Sequence, residues 1–374
     1  MPDLLSRILS RAGVLPSLRR QWRDDQAAAA DKLRARLDKK TSALETRVGE
    51  LSALLSAQEE RLADMDREVR MLRESLAINQ ARPFSPADAM RLFGAERVLA
   101  HVERAIATAV LDTDPTPHLV ITDLVPEDTY DAMLQGLPGR VFFPPRDNVK
   151  LNIRPSQVGV VPDITLALLR FIDERLVPAM VPALWARFEP HVREFYRREY
   201  GQEEGAALMA QPHRAIGGRL MLRRPGYHLA PHIDPRRVVI TGLLYLAKPG
   251  DSEEYGTGFY RMNGTPTIDR SNTFYPDTQG IRCDHVKTVP FRPNSAVAFL
   301  NAGAAHGAEI PKTAPRNTER YSYQFYVSPD VDVADAFDLR DALGEQGGRD
   351  VVDLRPDRKS TRLNSSHGYI SYAV

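Results

Sequence analysis

The sequence predicts an α+β protein with a long coiled-coil helix first, a helical region after it, and a two-sheet antiparallel jelly roll as the core. Three observations predict this. A heptad repeat runs over residues 33 to 78. Helix-spaced apolar residues then dominate as far as about residue 211. From about 212 to 330 the texture changes to short β-prone runs separated by Pro, Gly, Asn and Asp. Helices followed by strands suit an antiparallel core, and six or more short strands in about 120 residues suit two packed sheets.

Residues 1–32 open with MPDLLSRILSRAGVLPSLRRQW, in which Leu4, Leu5, Ile8, Leu9, Leu15 and Leu18 stand among arginines. The run is too interrupted for a secretory signal. It reads as a short helix packing on a partner chain, with an amphipathic membrane-surface helix as the weaker alternative.

The coiled coil is expected over 33–80. Thr41, Val48, Leu55, Leu62, Val69 and Leu76 fall at position a, and Leu37, Leu44, Leu51, Gln58, Met65 and Leu72 at d. Ten of these twelve are apolar, and valine at a with leucine at d favours a parallel homodimer. Gln58 is a polar seam residue suited to fixing register. The competing reading is one long helix folded back on its own globular domain.

Pro83 and Pro86 in RPFSPADAM end that pattern, and Ser85 is placed to cap the next helix. Residues 84–211 form a helical support region. AERVLAHVERAIATAVL is helical in period, PHLVITDLV (117–125) reads as a strand, and PEDTYDAMLQGLP as a helix. Residues 163 to 200 are helical with proline interruptions. The core, 212–335, contains GRLMLRR, VVITGLLYLA, GTGFYRM, HVKTVPF, SAVAFLN and RYSYQFYV as strands. Residues 336–356 are a tail. The last stretch, 357–374, DRKSTRLNSSHGYISYAV, reads as a translated sequencing adapter, because a common short-read adapter translates in frame as DRKSTRLNSSH and continues as ISYAV. His367 is therefore left out of every site argument.

Composition excludes several classes. With 50 Lys and Arg against 49 Asp and Glu, no global field favours nucleic acid or a membrane surface. The single cysteine, Cys283, rules out an internal disulfide and a cysteine-rich zinc site, and suits a reducing cytoplasm. No run approaches the ~18 apolar residues of a membrane span. There is no G-x-x-x-x-G-K-[ST] phosphate loop and no dinucleotide-binding glycine pattern.

Chemistry concentrates around GYHLAPHIDPRR, residues 226–237. His232 and Asp234 are two apart, so in a strand both point the same way and can reach one ion. Nine histidines, each with about a 13% chance of an acid two places on, produce about one such pair by accident. The chain has two, but His101 and Glu103 fall in an expected helix, where i and i+2 diverge. His228 has no acid at ligand spacing, and Pro231 is expected to break the strand between it and His232, leaving it at the pocket entrance or in solvent. His306 follows the β run Ala296–Leu300 and a small-residue turn, where a plain loop histidine is the competing reading. RYSYQFYV as a strand puts Arg320, Ser322, Gln324 and Tyr326 on one face, fit to line a cavity, and Tyr321, Tyr323, Phe325 and Val327 on the other, fit to pack. Two histidines and a carboxylate with open positions suit iron(II) that binds a co-substrate and oxygen. A guanidinium beside a hydroxyl suits a carboxylate.

The stretches RRPGYHLAPHID, GLLYLA, GTGFY, NSAVAFLN with His306, and RYSYQFYV together resemble the iron(II)- and 2-oxoglutarate-dependent oxygenases, in the branch similar to prolyl 4-hydroxylase. The resemblance covers about 212 to 330 and extends more faintly to PHLVITDLVPEDTYDAMLQGLP. It implies a double-stranded β-helix core, with His232, Asp234 and His306 as iron ligands. It also implies Arg320 on the distal carboxylate of 2-oxoglutarate, with Ser322 assisting. The implied reaction uses O2 and hydroxylates a substrate with release of succinate and CO2. Two features depart from the family. The tyrosine usual three places before the turn glycine is Arg223 here, before Gly226, with Tyr245 as a candidate replacement. The loop between His306 and Arg320, IPKTAPRNTE, is longer than usual.

The helical region and the aromatic- and Asn/Thr-rich loop 254–284 would wall the substrate site, which is compatible with a small polar molecule, a glycan or a peptide. Two other classes carry the same features. One is a non-catalytic jelly-roll binding module displayed on a coiled-coil oligomer. The other is a cupin-like isomerase or zinc hydrolase, which needs no dicarboxylate clamp and so leaves Arg320 and Ser322 unexplained.

Overall fold

The computed structural model describes residues 14–94, 96–144, 147–264 and 272–329. The start of the N-terminal segment, the tail at 336–356 and the adapter-like 357–374 lie outside the described residues. The chain forms two compact units, Met1–Val69 and Arg70–Val374.

The first unit is helix. Helix α1 (Val14–Ala81) runs through it without a break and continues into the second unit. No glycine or proline strong enough to stop it occurs between Pro16 and Pro83; the lone Gly49 is carried by its neighbours. The apolar stripe stands in solvent: Leu37, Leu44, Leu51, Leu55 and Leu62 are all more than half exposed.

In the second unit the last turns of α1 belong to the core, with Met71 and Ile78 packed against it and Ser75 buried. Helix α2 (Pro86–Phe93) is capped by Ser85 as expected, and Asp88 completes a capping box. Helix α3 (Glu96–Thr108) buries Val98, Val102 and Ile106 at helical spacing. Strands β1 (Leu111–Asp112) and β2 (His118–Thr122) follow, then helix α4 (Glu127–Gln135) and strand β3 (Lys150–Ile153). Helix α5 (Asp163–Phe171) passes through a π turn, Ile172–Leu176, into α6 (Val177–Tyr200), and α7 is Gln202–Met209. Pro182 and Pro190 lie inside α6 without ending it. Each removes a backbone donor, but the face carrying Leu184, Phe188, Val192 and Tyr196 is fully buried and holds the helix on course. Arg187 on α6 donates to the end carbonyls of α3, Ile106 and Ala107, at 2.5 and 2.7 Å.

The remaining strands are β4 (His213–Arg223), β5 (His228–His232), β6 (Ile240–Tyr245), β7 (Thr257–Met262), β8 (Cys283–Val289), β9 (Ser295–Leu300), β10 (Ala304–Glu309) and β11 (Arg320–Pro329). They form two antiparallel sheets with β1 to β3. The larger has the order β1-β2-β9-β6-β11-β4-β3, the smaller β5-β10-β7-β8. The region 84–211, read from sequence as helical support, thus also supplies both edges of the large sheet.

The large sheet is covered on both faces. Leu220, Leu222, Leu244, Ala298, Tyr323 and Phe325 pack into one core with the helices. Met221, Leu243, Tyr245, Val297 and Phe299 pack instead against Phe259 and Val289 of the small sheet. Adjacent residues go to opposite cores, as a period of two requires. This explains why β6, β9 and β11 are buried along their whole length. Tyr323 also ties sheet to helices through its hydroxyl, which donates to Asp173 of the π turn at 2.5 Å. No described helix is long and apolar enough to cross a membrane.

Two readings of the core need correction. His306 lies inside strand β10, not in a loop; the run of Ala and Gly around it hides a strand that is fully buried in its first half. Pro231 does not break β5. That strand is the edge of the small sheet, so the missing N–H costs no ladder bond on its open side. The register against β10 slips at this point, with His306 opposite His232 but Ala308 opposite Leu229. Gly307 sits at the slip, and a side chain there would come within 2.7 Å of the Leu229 carbonyl.

Candidate metal centre and its cavity

His232 ends β5 and His306 lies directly across from it on β10. Beyond β5 the chain stays extended: Ile233 exchanges two backbone bonds of 2.9 Å with Phe274 and turns its side chain inward to Phe274 and Ala305. His232 and Asp234, on either side of it, therefore point together toward His306. All three are at least 95% buried. One ligand atom from each lies within 4.8 Å of the others, so the three could hold one metal ion.

His232 and Asp234 are each fixed by a further partner. His232 Nδ1 is 3.0 Å from the Ala230 carbonyl, which can only accept. Nδ1–H therefore donates to that carbonyl, which leaves Nε2, 3.9 Å from Asp234 Oδ1, as the nitrogen turned to the cluster. Thr241 donates to Asp234 Oδ2 at 2.6 Å. Asn301 donates to the carbonyls of Asp234, Pro235 and Val238, each at 2.9 Å, and so holds the turn that follows. Burial, reinforced by neighbouring His232, pulls the His306 imidazole down to about 3. It is neutral, with a lone pair to give. Nitrogen and carboxylate donors with no thiolate, fewer than a closed four-ligand site, suit a catalytic ion such as zinc or iron that keeps positions open.

The three donors line a cavity of about 690 Å³. Arg320, buried at the start of β11, lines it too. Its Nε donates to the Tyr255 carbonyl, and its Nη1 is 3.4 Å from the Ser322 hydroxyl. The guanidinium lies over the rings of Tyr245 and Phe291, at 5.4 and 5.0 Å. Ser322 and Tyr245 face each other across β11 and β6. Tyr245 is enclosed between the sheets, and its hydroxyl donates to Thr257 Oγ1 at 2.6 Å. It is Thr257, rather than Tyr245, that lines the cavity.

β11 divides its residues between its two faces. Gln324 and Tyr326 join Arg320 on the cavity wall, while Tyr321, Tyr323, Phe325 and Val327 enter the helix-side core. Arg223, at the position of the expected tyrosine, is buried and turned to structure. It donates to the Leu151 carbonyl at 2.8 Å and to Asn152 Oδ1 at 2.9 Å, and lies 4.9 Å over the Tyr227 ring. The remaining candidates fall away from the site. His228 is an exposed side chain 3.6 Å from Glu309, and His101 on α3 is 2.7 Å from the Asp123 carbonyl.

Sequence reasoning did not single out Thr241, Asn301, Tyr227 or Arg219. Thr241 had a usable signal: it is the polar residue in the apolar run VVITGLLYLA, and a buried hydroxyl needs a partner. A second cavity, about 850 Å³, adjoins on the helix side, lined by Trp185, His213 and Asp173 among others; Arg154 lines both.

No protein-family model matches the chain, and no curated protein does. Solved structures do. A Pseudomonas putida prolyl-4-hydroxylase is similar at 16% identity, over 62% of this chain and 99% of that one, with a TM-score of 0.30. HygX from Streptomyces hygroscopicus, solved with nickel, 2-oxoglutarate and hygromycin B, is similar at 15% identity over 57% of this chain and 82% of that one, with a TM-score of 0.33. A prolyl 4-hydroxylase from Phytophthora capsici is similar at 15% identity over 70% and 77%, with a TM-score of 0.32.

Proposed function

We propose that the chain is an iron(II)- and 2-oxoglutarate-dependent dioxygenase, built on a jelly-roll (double-stranded β-helix) core, that hydroxylates its substrate. The observation that carries this reading is one cavity lined by both the buried His232–Asp234–His306 cluster and the buried Arg320. A zinc hydrolase or isomerase would use the first and has no need of the second.

His232, Asp234 and His306 would hold iron(II). When bound together, iron, 2-oxoglutarate and dioxygen supply the oxidising power to place a hydroxyl on a C–H bond, with release of succinate and carbon dioxide. The protein's own part is binding and water exclusion. Arg320 would grip the distal carboxylate of 2-oxoglutarate with the donors that Tyr255 leaves free. The rings of Tyr245 and Phe291 beneath it keep water out and strengthen that pair. Ser322 supports the guanidinium. Tyr245 would act through Thr257, whose hydroxyl accepts the tyrosine proton and keeps its own to donate into the cavity.

Iron-dependent succinate formation tests this directly. The full chain should release succinate from 2-oxoglutarate, and His232→Ala should release none; unchanged turnover in that variant refutes the site.

The exposed heptad stripe of α1 supports pairing with a second copy, because isolated helices do not leave so many leucines in water without a partner. Light scattering on the full chain should show a dimer, and Leu44→Glu with Leu51→Glu a monomer.

A further inference from the structure

The cations on the cavity wall outnumber what 2-oxoglutarate can use. Lys150 of β3, Arg223 of β4 and Arg320 of β11 lie in register in one row across three adjacent strands. Like charges directly opposite on a sheet destabilise it. Arg219 lies two same-face positions further along β4, beyond Met221, and Arg154 lies two beyond Asn152, on the same period-two face of the β3 segment. All five line the cavity, as does Arg237, and among the described lining residues the only acid is Asp234. The chain as a whole is nearly balanced, 50 basic to 49 acidic residues. The excess is therefore local, not a consequence of composition.

Not all of these charges are available. Arg320 belongs to the 2-oxoglutarate reading, and Arg223 commits both terminal nitrogens, Nη1 to the Leu151 and Leu222 carbonyls and Nη2 to Asn152. Arg219 is aligned by neutral acceptors only, Gln324 Oε1 through its Nε at 2.9 Å and the Tyr326 hydroxyl at 3.2 Å. Those bonds orient its guanidinium and leave its charge uncompensated. Among the described residues, neither Lys150, Arg154 nor Arg219 has an ion-pair partner. Two guanidinium forks and an ammonium lining one cavity suit an oxyanion.

We propose that the substrate carries an oxyanion group that seats against Lys150, Arg154 and Arg219 while its reacting carbon faces the His232–Asp234–His306 cluster. The identification of this ligand as the substrate rests on the oxygenase reading; the anion site itself does not. An acidic small molecule or an acidic group on a larger one fits, and a neutral glycan or unmodified apolar peptide does not. The wall also attracts such a substrate electrostatically, so binding weakens as salt rises.

The test is calorimetric titration of the full chain at low ionic strength with sulfate, a tetrahedral dianion, and with acetate, a carboxylate. Each is run on the unloaded chain and on the chain loaded anaerobically with iron(II) and 2-oxoglutarate, which fills Arg320. At least one anion should bind the loaded chain, and whichever binds more tightly names the group. Lys150→Gln with Arg154→Gln, and separately Arg219→Gln, should each weaken it by about tenfold or more. Arg175→Gln, at an exposed site outside the cavity, should leave it unchanged. Melting curves establish that each variant is folded. No binding to the wild type, equal binding to the variants, or displacement of the anion by 2-oxoglutarate overturns the proposal. Anion binding intact in a chain that takes up neither iron nor 2-oxoglutarate would instead sink the oxygenase reading and leave the anion site standing.

Discussion

The two walls of the cavity handle charge in opposite ways. On the small-sheet side the groups are two histidines and one carboxylate, with His232 and Asp234 each already held by a second partner, the Ala230 carbonyl and Thr241. On the large-sheet side they are cations, of which Arg320 is held by a carbonyl and Arg219 by an amide and a phenol. A metal site needs donors with lone pairs in a fixed geometry. An anion site needs positive charge that nothing in the protein cancels. The first is built by a strand crossing with a slipped register, the second by successive strands that all turn their alternate residues the same way.

This contrast can be broken one wall at a time. Arg320→Gln attacks the large-sheet wall: 2-oxoglutarate affinity should fall by about 100-fold or more, as when a partner of a buried charge pair is removed. Iron affinity should stay within about threefold because no metal donor is touched. A matching loss of iron would show that the two walls are not independent. Thr241→Val attacks the small-sheet wall at nearly constant shape. It removes the bond that orients Asp234, and iron affinity measured by competition should fall by about 10- to 100-fold. The smallest effect is expected from His228→Ala. Its side chain is on the same strand as His232 but in solvent, so iron affinity should move by less than about twofold.

Those two histidines also show how much was legible beforehand. Strand alternation alone points His232 and Asp234 the same way; His306 and Arg320 join them as candidates only through the resemblance to the oxygenases. The separation of the faces of RYSYQFYV followed from the same rule. The strand β10 was not legible: its AAHGAE has no branched residue and no alternation, and it becomes a strand only because β5 and β7 flank it. Pro231 misled for a related reason, since its tolerance depends on β5 being an edge, a fact about topology. β3 is four residues long, too short for a period to register. The cationic row could not be seen either, because Lys150, Arg223 and Arg320 are far apart in sequence and meet only through strand register.

One measurement bears on both walls at once. Under strict exclusion of oxygen, the full chain is mixed with iron(II) and then titrated with 2-oxoglutarate while the visible spectrum is followed. A metal-to-ligand charge-transfer band should grow to one equivalent in the wild type. It should be absent in His306→Ala at any concentration, and should appear in Arg320→Gln only at much higher 2-oxoglutarate. A wild-type chain that binds iron(II) but never develops the band would contradict the assignment of this cavity to 2-oxoglutarate chemistry.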